Sequence, residues 1–330
     1  KLLKSQGWAV AVYAMDYPEN ISSEWEHYFA SEVSFGGGMG NKIAAAKRLL
    51  GMGDVQKSFK KILADFRPDV VHLQNIHSYL SPILAKLAKD FGCKVVWTLH
   101  DYKLLCPSYS CLRDGKPCEL CYDDKTNVLT KRCMKGSLVA SVLAYAEALK
   151  WNRAWLERHV DAFVCPSAFM ARKMKQGGFD ESKLAVICNF VDPVKLSVFE
   201  GLSVNAERNY YLYVGRLSQE KGVETLLEVA SQLPYTLKVA GGGPLADEMK
   251  AKYSECANIE FLGHQNAEQV SSLLAGAVAI VAPSECYENN PLSVIESLCA
   301  GTPVVGANIG GIPELIGTGE GLVFESGNKA

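Results

Sequence analysis

Short runs of β-branched and aromatic residues alternate along the whole chain with amphipathic stretches of helical period. This alternation constrains the fold most, because a parallel pair of strands needs a long crossover connection, which is usually a helix. We predict strands at Trp8–Tyr13, Val70–Leu73, Lys94–Thr98, Ala162–Cys165, Leu184–Ile187, Tyr210–Val214, Thr236–Ala240, Ile259–Leu262, Ala279–Val281, Pro303–Val305 and Gly321–Phe324. The sequence therefore predicts an α/β fold with two Rossmann-like parallel-sheet domains that face each other across a cleft.

Length and composition agree with two domains and exclude several classes of protein. The chain has 330 residues, of which 48% are hydrophobic and 21% are charged, so neither half is disordered. The net charge of −2 indicates no nucleic-acid partner, and no apolar run approaches the roughly 18 residues of a membrane span. We assign residues 1–192 to the first domain and 193–330 to the second. We expect the first strand of one and the C-terminal helix of the other to lie outside this chain.

The loop after Tyr210–Val214 carries two cations before an amphipathic helix. Gly215 lets a ligand approach the main chain, Arg216 can hold two phosphate oxygens, and Lys221 supplies a point charge. The following helix start adds free N–H groups. Taken alone, the segment is equally consistent with a surface turn whose charges are solvated.

A second set of strand-to-helix loops carries carboxylates and free amides. Gly243 follows one strand in a tight turn before Pro244, and a longer segment places Glu288 in a loop and Glu296 in the next helix. Carboxylates in such positions accept hydrogen bonds from sugar hydroxyls. The helix start at Asn290, Pro291, Leu292 and Ser293 can face phosphate. Pro291 initiates the helix, and the main-chain N–H groups come from the other three residues.

These motifs, in this order, resemble those of retaining glycosyltransferases of family 4, which have the GT-B fold. The resemblance runs from about Pro68 to Phe324 and implies that the protein transfers a sugar from a nucleotide-diphosphate donor of UDP or GDP type. It implies that Arg216 and Lys221 hold the diphosphate, that Glu288 contacts the donor sugar and that Glu296 holds the ribose. The usual aromatic residue and glycine after the first Glu are replaced here by Asn289 and Asn290.

Polar residues also follow two predicted strands of the first domain. His100 and Asp101 end the strand Lys94–Thr98, and Asn75 and His77 follow Val70–Leu73. Taken alone, His100 would be a helix cap. The resemblance instead implies that His100 lies near the transferred sugar, and we expect Asp101 to orient it. We expect weaker acceptor contacts from Asn75 and His77, and we assign His72 to the core.

The resemblance implies retaining transfer without a protein nucleophile, with the acceptor attacking the face from which the diphosphate leaves. We expect no catalytic metal, because no Asp-x-Asp motif precedes the donor site. Glu288 and Glu296 could also be interpreted as the paired carboxylates of a glycoside hydrolase. The strand-loop-helix context and the upstream cations Arg216 and Lys221 argue against that interpretation. The alternatives are a catalytically silent nucleotide-sugar binding module and a sugar phosphorylase or synthase on the same fold.

Five of the eleven cysteines fall within an insert at residues 103–136. One Cys-x2-Cys pair with two further thiols could hold a structural zinc ion, and reduced free thiols are the alternative. The predicted ligands are Cys106, Cys118, Cys121 and Cys133, with Cys111 in reserve. Transferases with a similar insert also carry cysteines there.

The predicted helix over Leu138–Leu156 is largely apolar, and two readings of it stay open. It either packs between elements of the protein or lies on a membrane surface near a lipid-linked acceptor. We expect a cytoplasmic enzyme of cell-surface polysaccharide biosynthesis. The alternative hypothesis is a peripheral position at the inner membrane face.

Overall fold

The computed structural model describes residues 2–203 and 208–330. The chain divides into two compact units. The first unit comprises Lys1–Tyr109, Leu120–Cys165 and Met174–Ala185. The second unit comprises Ser110–Glu119, Pro166–Lys173 and Val186–Ala330. This division differs from the predicted 1–192 and 193–330, because Ser110–Glu119 of the cysteine insert, Pro166–Lys173 and residues 186–192 belong to the second unit.

The first unit is built on a four-stranded sheet of order β1-β2-β5-β6. Strand β1 pairs with β2, and β2 with β5, in parallel. The strands of this sheet are β1 (Val70–Gln74), β2 (Lys94–Thr98), β5 (Ala162–Cys165) and β6 (Leu184–Val186). The helices are α1 (Leu2–Ser5), α2 (Met39–Leu49), α3 (Val55–Phe66), α4 (Ile83–Phe91), α5 (Asn127–Thr130), α6 (Leu138–Lys150) and α7 (Arg153–His159), with 3-10 turns at Glu26–Tyr28 and Glu181–Lys183. Helix α8 (Ala168–Gln176) begins in the second unit, which holds it up to Lys173, and ends in the first.

The second unit contains a six-stranded parallel sheet of order β12-β11-β10-β7-β8-β9. The strands are β7 (Tyr210–Val214), β8 (Leu237–Ala240), β9 (Ile259–Gly263), β10 (Ala277–Ala282), β11 (Val304–Ala307) and β12 (Gly321–Phe324). The helices are α9 (Pro193–Ser203), α10 (Val223–Ala230), α11 (Ala246–Lys252), α12 (Ala267–Ala275), α13 (Leu292–Cys299) and α14 (Ile312–Leu315), with a 3-10 turn at Gln219–Lys221. A separate antiparallel pair, β3 (Leu112–Arg113) and β4 (Lys116–Pro117), also belongs to this unit.

The helices form where apolar residues recur with the helical period, and they end at residues that favour a helix C-terminus. Helix α3 buries Val55, Phe59, Ile62 and Leu63, which recur at the spacing of one helix face. Helix α4 ends at Gly92, whose φ of 98° is the left-handed conformation that commonly closes a helix. In the sheet of the first unit, Trp97 and Phe163 are fully buried side chains of neighbouring strands.

One predicted strand is wrong. Among the described residues, Trp8–Tyr13 does not join a sheet, and the nearest pairing is an isolated parallel bridge between Met15 and Ala30. The side chains of Trp8 and Val12 are 64% and 48% exposed. The β-branched composition of this run therefore reflects extended backbone rather than a place in the core.

Candidate active site

The order of the six-stranded sheet reverses between β7 and β10, which are neighbours although three helices and two strands separate them along the chain. In sheets of this kind, ligands bind outside the carboxyl ends of the two strands at such a switch point. The β7 loop (residues 215–222) and the β10 loop (residues 283–291) start there. Together they carry Gly215, Arg216, Lys221 and Glu288, so the fold brings these predicted donor-site residues to one edge of the sheet.

An ion pair joins the two loops. The Nζ atom of Lys221 lies 2.6 Å from Oε1 of Glu288, and the two side chains are 31% and 15% exposed. Ser284 donates a second hydrogen bond to the same Oε1 at 2.7 Å. Burial opposes the charged form of Lys221, but the nearby carboxylate of Glu288 outweighs it and raises the pKa of Lys221. Lys221 is therefore charged at neutral pH.

The position of Glu288 depends on a close approach by the chain after β11. The amide of Gly311 donates to the carbonyl of Glu288 at 2.7 Å. Gly310 has a φ of 62°, and a Cβ there would lie 2.2 Å from that same carbonyl oxygen. Only glycine fits such a site without displacing the Glu288 main chain. Sequence reasoning missed this support, although the Gly-Gly pair in the loop was a visible signal.

Asn290 also joins two segments of the second unit. Its Oδ1 accepts a hydrogen bond from the amide of Asn189 at 2.8 Å, and its carbonyl accepts one from Nδ2 of Asn189 at 2.9 Å. The side chain is 6% exposed, and among the described residues its Nδ2 has no hydrogen-bond partner. Asn290 therefore fastens the end of the β10 loop to the segment before α9.

The second predicted carboxylate is also paired. Oε1 of Glu296, within α13, lies 2.6 Å from Nζ of Lys195 in α9. Helix α13 begins after Pro291, which provides no side-chain cap. Because Leu292 and Ser293 are its first residues, their amides precede the first intrahelical hydrogen bonds and remain available to a ligand.

The remaining donor-side residues lie in the β7 and β8 loops. The amide of Gly215 donates to the carbonyl of Ala240 at 3.1 Å, and Arg216 is exposed. Gly243 approaches the main chain of Leu217 so closely that a Cβ would lie 2.4 Å from its carbonyl oxygen. Because the two loops approach each other so closely at Gly243, a larger side chain does not fit at this position.

In the first unit, the end of β2 lies beside the end of β1. The register pairs Gln74 with Thr98, so His100 follows beside Gln74. Nε2 of His100 lies 3.0 Å from Oε1 of Gln74. Asp101 instead accepts a hydrogen bond from the amide of Lys103 at 2.8 Å. The hydrogen-bond partner of His100 is therefore Gln74, which sequence reasoning missed, rather than the expected Asp101.

Burial shapes the protonation of both residues. Burial lowers the pKa of His100 below its ordinary 6.5, against the charge of Asp101, which raises it. Burial also raises the pKa of Asp101 above 3.8, although the amide and the charge of Lys103 act in the opposite direction. At neutral pH, His100 is therefore an uncharged imidazole that can exchange hydrogen bonds with a hydroxyl.

The predicted burial of the two other histidines is reversed. His72, assigned to the core, is exposed, and its Nε2 lies 2.7 Å from Oγ1 of Thr98. His77, assigned to the acceptor, is 8% exposed and its ring centroid lies 5.0 Å from that of Trp97. Burial lowers the pKa of His77 to about 3. Asn75 is exposed, with a φ of 46°.

His77 lines a cavity of about 410 Å³ within the first unit. Its lining also includes Lys103 and Glu147, whose Nζ and Oε2 atoms lie 2.9 Å apart. Glu147 is 3% exposed, and within the described part of the chain its Oε1 has no hydrogen-bond partner. A polar ligand could therefore complete the hydrogen bonding of this carboxylate.

The cysteines of the insert do not assemble the predicted zinc site. Across residues 2–203 and 208–330, no group of three or more His, Cys, Asp or Glu side chains is arranged to hold a metal ion. Cys106, Cys121 and Cys133 belong to the first unit, whereas Cys111 and Cys118 belong to the second. A hydrogen bond with Cys106, together with burial, raises the pKa of Cys121.

The predicted apolar helix is broken at Trp151 into α6 and α7. The indole Nε1 of Trp151 donates to the carbonyl of Leu49 at 2.7 Å, so this end is packed within the unit. Toward the other end, Leu138, Val139 and Val142 are exposed, and Leu149 is also exposed near the break. None of the helices in the described part of the chain has both the length and the apolar character needed to cross a bilayer.

Two family models cover the chain. The model described as Glycosyltransferase Family 4 matches residues 1–195, and the model described as Glycosyl transferases group 1 matches residues 196–330. An uncharacterised 42.6 kDa protein from the cps region of Klebsiella pneumoniae is 28% identical over 264 residues, which cover 79% of this chain and 63% of that protein. The O-antigen biosynthesis glycosyltransferase WbnH of Escherichia coli is 30% identical over 180 residues, covering 52% of this chain and 48% of that protein. The chain thus spans less than two thirds of the length of these relatives.

Solved structures share the fold. Anabaena Alr3699/HepE, in complex with UDP and glucose, superposes with a TM-score of 0.55 at 19% identity, covering 92% of this chain and 74% of that one. The lipopolysaccharide outer core galactosyltransferase WaaB, in its apo form, gives a TM-score of 0.55 at 16% identity, covering 91% and 71%. The chain belongs to glycosyltransferase family 4, and its two Rossmann-like α/β units are those of the GT-B fold.

Proposed function

We propose that this protein is a retaining glycosyltransferase that moves a sugar from a nucleotide-diphosphate donor to a hydroxyl of a glycan or lipid-linked acceptor. Its place would be cell-surface polysaccharide biosynthesis, a proposal supported by the E. coli relative WbnH, which is named for O-antigen biosynthesis. The observation that carries the proposal is the convergence of Arg216, Lys221 and Glu288 at the switch point of the second sheet. Two cations and a carboxylate there suit a ligand with a diphosphate at one end and hydroxyls at the other.

On this proposal, Arg216 and Lys221 bind the donor diphosphate together with the amides of Leu292 and Ser293 at the start of α13. Glu288 accepts hydrogen bonds from the donor sugar, and Glu296 binds the ribose after exchanging or sharing its ion pair with Lys195. UDP is the first nucleotide to test, because HepE forms complexes with UDP and with UDP-glucose.

The proposed chemistry breaks the bond between the anomeric carbon and the diphosphate oxygen, and forms a bond from the acceptor oxygen to the same face of that carbon. The acceptor proton passes to the departing phosphate oxygen. Negative charge grows on the diphosphate as it leaves, so Arg216, Lys221 and the α13 amides stabilise the transition state more than the ground state.

The first unit would bind the acceptor. The neutral imidazole of His100, held by Gln74, can accept or donate a hydrogen bond to a sugar hydroxyl without adding charge. The cavity beside His77 supports the same assignment, since its buried Glu147 has capacity for a further hydrogen-bond donor.

The decisive experiment titrates UDP-, GDP- and ADP-sugars into the protein by calorimetry and then follows sugar transfer and donor hydrolysis. We expect binding of one nucleotide class and slow hydrolysis without acceptor. With transfer, the anomeric configuration of the product, read by NMR, would match that of the donor. Donor binding with no turnover toward water or any acceptor would instead identify a silent binding module, and an inverted product would contradict the retaining mechanism.

We further propose peripheral membrane contact through the exposed apolar side chains of α6, the helix that also carries Glu147. Val139 is 81% exposed and Val142 is 50% exposed. Vesicles containing anionic lipid should sediment the protein, and Val139→Glu should reduce the bound fraction several-fold because a charge opposes insertion. Equal sedimentation of both proteins would exclude α6 as the contact.

A further inference from the structure

Part of the cysteine insert forms a hairpin that belongs to the second unit. We define the insert hairpin as Ser110–Glu119, which contains β3 and β4. Its turn at Asp114 and Gly115 has φ values of 52° and 74°. Two consecutive left-handed residues make the tight turn that suits a two-residue hairpin. The hairpin is therefore a defined structural element rather than an irregular loop.

The last residue of the insert hairpin contacts the β10 loop. Oε1 of Glu119 accepts a hydrogen bond from the hydroxyl of Tyr287 at 2.8 Å. The same carboxylate forms an ion pair with Lys173 in α8. The side chains of Glu119 and Lys173 are 26% and 17% exposed, so water screens the pair only in part. Tyr287 directly precedes Glu288.

Helix α8 holds the same loop from its N-terminal end. The rings of Phe169 and Tyr287 pack edge to face, with centroids 4.9 Å apart and an interplanar angle of 66°. Nζ of Lys173 lies 5.2 Å from the centre of the Tyr287 ring. Ser167 donates a hydrogen bond to Oδ1 of Asn289 at 3.0 Å. The residues on both sides of Glu288 are thus fixed by groups that lie far from it in sequence.

The turn of the insert hairpin lies beside the other loop of the site. A Cβ on Gly115 would lie 3.6 Å from Nε2 of Gln219, which is two residues before Lys221 in the β7 loop. The insert hairpin therefore has its turn at the β7 loop and its last residue at the β10 loop. These are the loops that carry the two members of the Lys221–Glu288 ion pair.

We propose that Glu119 is a positioning residue for the donor sugar: through the hydroxyl of Tyr287, it holds the β10 loop so that the carboxylate of Glu288 faces the sugar. This inference rests on the proposed function, and it assigns to the cysteine insert a part in sugar binding. Glu119 itself touches Tyr287 and Lys173, and its effect on the sugar passes through the loop. The side chains assigned to the nucleotide, Arg216, Lys221 and Glu296, lie outside the β10 loop, so we expect loss of this contact to weaken the nucleotide less than the sugar.

The first test needs no ligand. Hydrogen–deuterium exchange of residues 283–291 is measured in the wild type and in Glu119→Ala, Glu119→Gln and Tyr287→Phe. We expect exchange to rise about ten-fold in Glu119→Ala and Tyr287→Phe, and less in Glu119→Gln, which keeps an acceptor for the tyrosine hydroxyl. The exposed Glu255 gives the control Glu255→Ala. Unchanged exchange in both Glu119→Ala and Tyr287→Phe would overturn the inference.

The second test separates the sugar from the nucleotide. The dissociation constants of UDP and UDP-glucose, or of the nucleotide pair that the wild type binds, are measured in the same variants. We expect Glu119→Ala to weaken the sugar nucleotide about ten-fold more than the free nucleotide, with Glu119→Gln restoring most of the loss. Equal weakening of both ligands would overturn the inference. A wild type that binds no nucleotide would contradict the proposed function, whereas the exchange experiment would still report on the hairpin contact.

Discussion

The two units hold their candidate site residues in opposite electrostatic states. In the second unit, the carboxylates of Glu288 and Glu296 are each paired with a lysine, at 2.6 Å in both cases. In the first unit, the residues at the ends of β1 and β2 form neutral contacts, His100 with Gln74 and His72 with Thr98. Partial loss of surrounding water lowers the pKa of His72 and His100, and burial lowers that of His77, so all three are uncharged at neutral pH.

The difference suits two kinds of ligand. A preformed set of charges can exchange its partners for the anionic oxygens of a diphosphate, and charged hydrogen bonds contribute about 1.5–3 kcal/mol each. Neutral groups bind hydroxyls without the cost of removing a charge from water. The contrast thus favours a nucleotide-diphosphate ligand for the second unit and a sugar hydroxyl for the first, in line with the proposed function.

The largest expected effect tests the neutral side of this contrast. Folded His77 stays neutral down to about pH 3, whereas the unfolded residue takes up a proton near 6.5. The unfolded state therefore holds more protons in that window, so stability falls as the pH falls. The slope from this residue approaches about 1.4 kcal/mol per pH unit well below pH 6.5, and the stability changes by about 2 kcal/mol between pH 6.5 and 4.5. Denaturant unfolding of the wild type and His77→Phe should differ by that slope. Parallel curves would show that His77 is not buried as a neutral group.

The second prediction concerns the charged residues of the second unit. Lys221→Ala should weaken binding of the nucleoside diphosphate about 10- to 100-fold, because it removes a charged phosphate partner and leaves Glu288 without its counter-charge. Calorimetric titration measures the change. Lys250→Ala, at an exposed lysine of α11 in the same unit, is the matched control and should bind like the wild type. Unchanged affinity in Lys221→Ala would remove the phosphate role of this residue.

The smallest expected effect concerns the neutral contact at His100. Gln74→Ala removes one neutral hydrogen bond, which is worth about 1 kcal/mol, so we expect sugar transfer to slow about five-fold. The affinity for the donor nucleotide should not change, since Gln74 belongs to the first unit. Steady-state kinetics measures the transfer rate, and calorimetric titration measures the affinity for the nucleotide. A loss of nucleotide affinity would contradict the division of tasks between the units.

Sequence reasoning was most successful where main-chain geometry dictates residue type. The parallel strands β7 to β12 and the loops that carry Arg216, Lys221 and Glu288 were predicted because glycine, proline and charged residues recur at strand ends. The paired state of Glu288 was not predicted. Its partner Lys221 lies 67 residues away, and only the sheet order brings the two loops together.

The first unit was harder to predict because its polar residues carry no such geometric signal. The burial of His72 and His77 was reversed, since β1 is an edge strand whose pattern leaves His72 outside while His77 packs on Trp97 in the loop beyond. The apolar run Trp8–Tyr13 lacks a strand partner among the described residues. The sequence does not show that the hairpin of the insert belongs to the second unit. Contacts such as that of Glu119 with Tyr287 place it there, and they join residues 168 positions apart.

The ion pair between Lys221 and Glu288 gives donor binding the character of an ion exchange. On the proposed function, the lysine gives up an internal anion and takes an external one, and the carboxylate is thereby released to accept hydrogen bonds from the sugar. Any small oxyanion that competes for Lys221 would start the same exchange without completing it. Phosphate and sulfate in the buffer would then act as weak competitors of the donor while freeing the carboxylate that its sugar requires.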